Sequence, residues 1–283
     1  MAKILDGKTI AKQIREDLKN KVEGLRSKDC VPGLAVVIVG EDPASRVYVN
    51  AKKKACEEIG IRSFEYALDK KTTENDLLEI VNKLNRDIDV SGILVQLPLP
   101  EGIDSEKIIR AIDPKKDVDC FHPQNVGNLM MGKPSFAPCT PGGIIELIES
   151  CDIDIQGKEC VIVGRSNIVG KPVSMLFLSK NGTVTICHSR TKDLKEVCSR
   201  ADILVAAIGK PEFITKEYLK KGSVVIDVGI NRMEDRKLVG DVNFEDANEV
   251  CSFVTPVPGG IGPMTIAILM KNTVKAAMDL KGV

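Results

Sequence analysis

The chain has 283 residues, enough for about two domains, and its 40 Lys+Arg against 40 Asp+Glu give a formal net charge of +0. That balance argues against a nucleic-acid-binding protein, which usually carries a basic excess, and aromatics at 4% with no Trp argue against base-stacking platforms. Hydrophobic residues at 43% and charged residues at 28% are globular composition, not that of a disordered chain.

The first pattern along the chain is Ile10, Ile14, Leu18, Val22 and Leu25 at helical spacing, which predicts an amphipathic helix over 7–26. LAVVIV (34–39), closed by Gly40, reads as a buried parallel strand. Pro43 opens a helix that Gly60 ends, and 73–84 reads as another helix. SGILVQL (91–97) is a second buried strand, followed at once by Pro98. Residues 112–140 are crowded with Pro, Gly, Asn and Asp and read as irregular chain joining two domains. A helix is expected from Pro141, with Thr140 as its N-cap. Four short strands follow, at 160–163, 183–187, 203–208 and 224–228, with helices between them. They predict a doubly wound nucleotide-binding domain. Residues 254–265 read as a stiff Pro/Gly loop and 265–280 as a last helix.

Metal and membrane chemistry find little support. There are two His, His122 and His188, so no metal is expected. The nine Cys form no C-x-x-C pair and are odd in number, which speaks against a zinc site or a disulfide framework. They read as reduced, mostly buried thiols of a cytoplasmic protein. No apolar stretch has the length of a membrane span or a signal peptide.

VIVGRSNIVGKP (161–172) follows a strand and opens a helix, as a pyrophosphate loop must. Its glycines are spaced Gly164-x-Ser166-x-x-x-Gly170, which also suits a strand–turn–helix junction without a ligand. The strand ending at Cys187 offers no acid for a ribose 2′-hydroxyl; it is followed by His188, Ser189 and Arg190. Together with Arg165 inside the glycine loop, that favours a 2′-phosphate and hence NADP, although the same arginines would also serve as solvated surface charge. On the helix from Pro43, Ser45, Tyr48 and Lys52 share one face, while Lys53 and Lys54 are turned about 100° and 200° away. The bland reading of that run is a solvated basic helix. Gln96 ends its strand at the carboxyl edge, where α/β folds bind ligands. Asp117 and Asp119 lie in the irregular segment, where turn or capping duty is common for Asp.

YVNAKKKACEEIGI, GILVQLPLP, KKDVD, PCTPGGI, GRSNIVGKP and TPVPGGIGPMT occur in this order over nearly the whole chain. Together they resemble the bifunctional methylenetetrahydrofolate dehydrogenase/methenyltetrahydrofolate cyclohydrolase family. The resemblance implies two α/β domains, the second a Rossmann-like dinucleotide-binding domain, with the active site in the cleft between them. Residues 1–139 plus 265–283 would form the folate-binding catalytic domain and 140–264 the NADP-binding domain. Lys52 would be the catalytic lysine, Gln96 its support and Asp119 the carboxylate that holds the pterin. Ser45, Tyr48, Gly259, Gly260 and Pro263 would bind the folate substrate. Gly164, Arg165, Ser166, Ser189 and Ile230 would bind NADP. A homodimer through the NADP-binding domains and a place in one-carbon metabolism feeding purine biosynthesis are implied as well. One departure stands out: Cys120 follows Asp119 where the family usually has Gly, so a turn needing positive φ would be strained. A dehydrogenase that has lost the cyclohydrolase, and a nucleotide-binding regulator without turnover, are the competing readings. The set Tyr48, Lys52, Gln96 and Asp119 speaks against the regulator.

Overall fold

The computed structural model describes residues 1–235 and 237–283. In chain order the elements are β1 (Lys3–Ile4), α1 (Gly7–Arg26), β2 (Gly33–Val39), α2 (Pro43–Ile59), β3 (Arg62–Leu68), α3 (Glu74–Arg86), β4 (Gly92–Val95), α4 (Ser105–Ala111) and α5 (Pro123–Met130). They continue with α6 (Cys139–Glu149), β5 (Glu159–Val163), α7 (Gly170–Ser179), β6 (Thr183–Cys187), α8 (Leu194–Cys198), β7 (Ile203–Ala206), a single 3₁₀ turn (Lys216–Tyr218) and β8 (Val224–Asp227). β9 (Asn231–Arg232), β10 (Leu238–Val239), α9 (Phe244–Val250), β11 (Phe253–Val254) and α10 (Ile261–Lys281) complete the chain.

The chain divides into two compact units. The first holds Lys12–Cys139 and Ile266–Val283. Its sheet is parallel, in the order β3-β2-β4. All seven residues of β2 are buried, because both faces of the strand are covered. Leu34, Val36 and Ile38 pack with α1, α2 and α10 residues such as Val22, Ile59 and Leu269. Ala35, Val37 and Val39 pack on the other side with Leu77, Val81, Leu84 and Ile108 of α3 and α4. β3, an edge strand whose residues are all exposed or half-buried, went unread in the sequence because its apolar pattern is broken by Arg62, Ser63 and Glu65.

The second unit holds Met1–Ala11 and Thr140–Thr265. Its main sheet has six strands in the order β1-β11-β8-β7-β5-β6, every neighbouring pair parallel, and β9 and β10 form a separate antiparallel pair. This differs from the expected division, which gave residues 1–139 to the first domain. The reason is β1: Lys3 and Ile4 pair with Phe253 and Val254 and add a strand to the larger sheet. Two-residue strands such as β1 and β11 carry too little pattern to be read, so the main sheet has six strands where four were expected. Inside residues 112–140, Pro123 starts α5 instead of breaking the chain, and His122 Nδ1 caps that helix by accepting from Gln124 N at 3.1 Å. α6 begins at Cys139, so Thr140 lies within the helix and its Oγ1 meets Thr265 Oγ1 at 2.9 Å. α10 begins at Ile261, four residues before the expected start.

Candidate active site and cofactor site

In the first unit the strand order reverses between β2 and β4, and a doubly wound sheet opens a crevice at the carboxyl ends of such a pair. Two groups are delivered there by the chain leaving those strands. After β2, Gly40 takes φ 83 and turns the backbone. Asp42 then caps α2, its Oδ2 accepting from Ser45 N at 2.7 Å, with Pro43 as the first helical residue. A cap of this kind contributes about 1 kcal/mol and sets where the helix begins, and so which way its faces point. Ser45 and Lys52 are buried, while Tyr48, at 37% exposure, and Lys53 and Lys54 are exposed. One lysine of the run therefore points inward.

Gln96 follows β4, its N–H bonded to Val37 O at 2.8 Å. Lys52 Nζ donates to Gln96 Oε1 at 2.9 Å, and Gln96 Nε2 donates to Leu97 O at 2.8 Å. The second bond fixes which end of the amide faces the amine.

Asp119 arrives on a third segment. Ile93 of β4 bridges Asp117 in parallel fashion, and Ile93 N donates to Lys116 O at 2.8 Å. Asp117 is buried and structural: it accepts from Phe121 N (3.2 Å), His122 N (2.8 Å) and Asn125 Nδ2 (2.8 Å). From α10, the buried Asn272 donates to Val118 O and Ala137 O, each at 2.8 Å. Asn272 went unread because an Asn within an apolar helix marks a buried bond without naming its partner. Cys120 stands at φ 65 with its Sγ donating to Phe136 O at 3.4 Å. The turn does use the left-handed region, at a cost of about 1 kcal/mol for a residue other than Gly. Lys116 faces elsewhere, donating to Leu84 O in the last turn of α3 and to Asp87 O just after it.

Burial dominates the electrostatics. It pulls the Lys52 amine below its ordinary value, with Asp119 and Cys139 pulling back. It pushes the Asp119 carboxyl up, against the Lys52 charge and the Cys139 thiol. It pushes the Tyr48 phenol up as well. The shifts bring the amine and the carboxyl towards each other on the pH scale, as proton transfer near neutrality requires.

The second unit has its own switch point. Its strands after β5 run in the order β6-β5-β7-β8, so the reversal lies between β5 and β7. A cavity of about 280 Å³ opens there, lined by Gly164 and Arg165 after β5, His188 and Ser189 after β6, and Ile208, Lys210 and Phe213 after β7. Gly164 takes φ 135, and a side chain at Gly170 would lie 2.2 Å from Gly164 O. The turn is that tight where α7 presents its first N–H groups, the arrangement that receives a pyrophosphate. Ser166 Oγ accepts from Val169 N (3.1 Å) and Gly170 N (3.3 Å), which ties the loop and leaves its own hydrogen to donate. His188 Nδ1 accepts from Arg190 N at 3.1 Å. Three basic side chains and a serine around one cavity, with no carboxylate in its wall, fit a phosphorylated cofactor. Arg190 is exposed and does not line the cavity; Lys210 does, and was not foreseen.

Two family models cover most of the chain. Residues 5–119 match the tetrahydrofolate dehydrogenase/cyclohydrolase catalytic domain and residues 138–281 match its NAD(P)-binding domain. The chain belongs to the tetrahydrofolate dehydrogenase/cyclohydrolase family. It is 67% identical, over 98% of its length and 97% of the relative's, to the "Bifunctional protein FolD" of Acetivibrio thermocellus. Among solved structures it resembles the bifunctional FolD enzyme of Campylobacter jejuni, with TM-score 0.97, 48% identity and coverage of 99% and 100% of the two chains. It also resembles the Trypanosoma brucei enzyme, complexed with NADP cofactor and inhibitor, with TM-score 0.94, 37% identity and coverage of 99% and 98%. This member of the family is thus an enzyme of two activities, a methylenetetrahydrofolate dehydrogenase and a methenyltetrahydrofolate cyclohydrolase.

Of the residues expected in the site, the first unit holds Ser45, Tyr48, Lys52, Gln96 and Asp119. Gly164, Arg165 and Ser189 line one cavity of the second unit, with Ser166 in the loop between them. Ile230 is 47% exposed on the loop after β8. Gly259 (φ 112) accepts from Lys8 N at 2.9 Å, Gly260 N donates to Pro256 O at 2.9 Å, and Pro263 lies in the first turn of α10. No group of three or more His, Cys, Asp or Glu among the described residues is placed to hold a metal. No helix among the described residues is long and apolar enough to cross a membrane.

Proposed function

We propose that the two activities divide their needs between the two units. NADP, when bound, supplies the acceptor for the hydride that leaves the one-carbon bridge of 5,10-methylenetetrahydrofolate. That step needs alignment more than proton transfer, since its product is already an electrophilic methenyl cation. Arg165 and Ser189 hold the 2′-phosphate; Gly164, Ser166 and Ile230 complete the cofactor contacts. Asp119 accepts from the pterin, Tyr48 lies along it, Ser45 supports their side of α2, and Gly259, Gly260 and Pro263 close on the folate.

Hydrolysis of the methenyl cation to 10-formyltetrahydrofolate is where Lys52 acts. Its amine, neutral more readily than an exposed lysine's, takes a proton from the attacking water and returns one as the ring opens. Gln96 Oε1 holds that amine in place. The bond from the buried Lys52 amine to the half-buried Gln96 is the observation that carries this reading. The product supplies formyl transfer in purine biosynthesis.

The nine free thiols, eight of them buried, support a cytoplasmic setting. Leu178 and Ile186, exposed on α7 and the outermost strand β6, support a homodimer through the NADP-binding domains. A single assay tests the catalytic reading. Methylenetetrahydrofolate is incubated with NAD or with NADP, and reduced cofactor and methenyl absorbance are followed together. Faster reduction of NADP with no lasting methenyl signal is expected; methenyl accumulation, or a preference for NAD, rejects the corresponding half.

A further inference from the structure

The loops around the cofactor cavity are held from behind by carboxylates that face no ligand. Asp241 is fully buried, between β10 and α9. Its Oδ2 accepts from Ile208 N (2.7 Å) and Gly209 N (2.9 Å). Its Oδ1 accepts from Lys210 N (2.9 Å) and Asn231 Nδ2 (2.9 Å). One carboxylate thus gathers three consecutive N–H groups of the loop after β7 and one donor from Asn231 at the start of β9. Asp241 is placed in turn by Asp227 at the end of β8, whose Oδ1 accepts from Asp241 N and Gly229 N and whose Oδ2 accepts from Val242 N, each at 2.9 Å. Room for the pair is made by glycines: a side chain on Gly229 would lie 2.3 Å from Asp241 Oδ1, and one on Gly240 would lie 1.7 Å from Asp227 Oδ2.

Four N–H donors converge on one buried carboxylate. Their places are specific. Ile208 and Lys210 line the cavity, with Lys210 Nζ 5.2 Å from the centre of the Phe213 ring, which lines it too. Asn231 adjoins Ile230. We propose that Asp241 is a positioning residue for the cofactor: it holds the loop after β7 in the shape that receives NADP and sets Lys210 at the cavity wall. Asn231 transmits the same restraint to the loop that carries Ile230. The inference rests on the cofactor reading above.

The test uses the full-length enzyme. In Asp241→Asn an amide NH₂ replaces one oxygen, so two donors lose their acceptor in a buried site. The KM for NADP should rise about tenfold or more. The KM for methylenetetrahydrofolate and the cofactor-free hydrolysis of methenyltetrahydrofolate should stay within about twofold of wild type. An unchanged KM for NADP, or an equal fall in both activities, overturns the proposal. If that variant fails to fold, Asn231→Leu removes one donor and leaves the clamp on 208–210. It should show the same split with a rise of about threefold, and an unchanged KM for NADP overturns the proposal there. Arg165→Ala is run beside them: a normal KM for NADP in that variant rejects the cofactor reading itself, whatever Asp241→Asn does.

Discussion

In the three-stranded sheet's unit, the lysine proposed to move the proton is itself buried. Lys52 is 8% exposed and bonded to Gln96, and burial moves both its pKa and that of Asp119. In the six-stranded unit, Arg165 and Ser189 are exposed, while the buried carboxylates Asp227 and Asp241 bond to backbone. Burial pushes Asp227 up to about 7 even against its N–H donors. Both sites sit at a strand-order reversal, so the same topology has been used in two ways. Where the proposed function needs a proton to move, the ionisable group, Lys52, is taken out of water and its pKa moves with it. Where the proposed function needs a phosphate to be bound and released, Arg165 and Ser189 stay in water and the buried carboxylates bond to the loops behind them.

The largest expected effect breaks the first half of that contrast. Lys52→Met keeps the side-chain volume and removes the amine, so methenyl hydrolysis should fall by about 10²–10⁴-fold, the usual contribution of acid–base catalysis. Dehydrogenase activity should fall less, and its product should accumulate as the methenyl species. Hydrolysis at the wild-type rate returns Lys52 to the role of a packed basic residue.

Asp119→Asn comes next. Losing a charged acceptor should weaken folate binding by about one to two decades and leave NADP affinity intact, as titration with each ligand would show. The same variant has a signed effect on pH dependence. The Asp119 charge helps keep the proton on Lys52, so removing it should let Lys52 lose its proton at lower pH. The limb of the hydrolysis profile that reports the free amine should move to lower pH. A move to higher pH would show that another group controls that limb.

Arg165→Ala sharpens the second half. The KM for NADP should rise about tenfold, with a smaller change for NAD. Equal losses with both cofactors would make Arg165 a structural residue.

The smallest effect concerns Cys120. At φ 65 any side chain is strained, so Cys120→Gly relieves the strain while Cys120→Ala keeps it and loses the thiol contact. The Gly variant should be the more stable of the two by about 1 kcal/mol in denaturant melts. A more stable Ala variant would show that the turn does not hold the stored strain.

Much of this was legible in the residue order. β2 and β4 announced themselves as apolar runs between glycines and prolines, and helical spacing singled out Lys52 from Lys53 and Lys54. The left-handed turn at Cys120 was visible as a departure. What escaped has a common physical origin. β1 and β11 are two residues each and exist because a neighbouring strand offers its backbone, which no local pattern records. Asn272, Asp227 and Asp241 act through bonds to residues far along the chain, such as Asn272 to Val118 and Asp241 to Ile208. Lys210 looked like any surface lysine until the loop after β7 was seen at the cavity wall.

The contrast between the regions is tested most directly by one side-by-side measurement. Hydrolysis of methenyltetrahydrofolate is followed with no nicotinamide present, for Lys52→Met and for Asp241→Asn against wild type. The expected result is a loss of about 10²–10⁴-fold in the first and a rate near wild type in the second. Comparable rates in the two variants, whether both fast or both slow, would contradict the assignment of proton transfer to Lys52 and of cofactor positioning to Asp241.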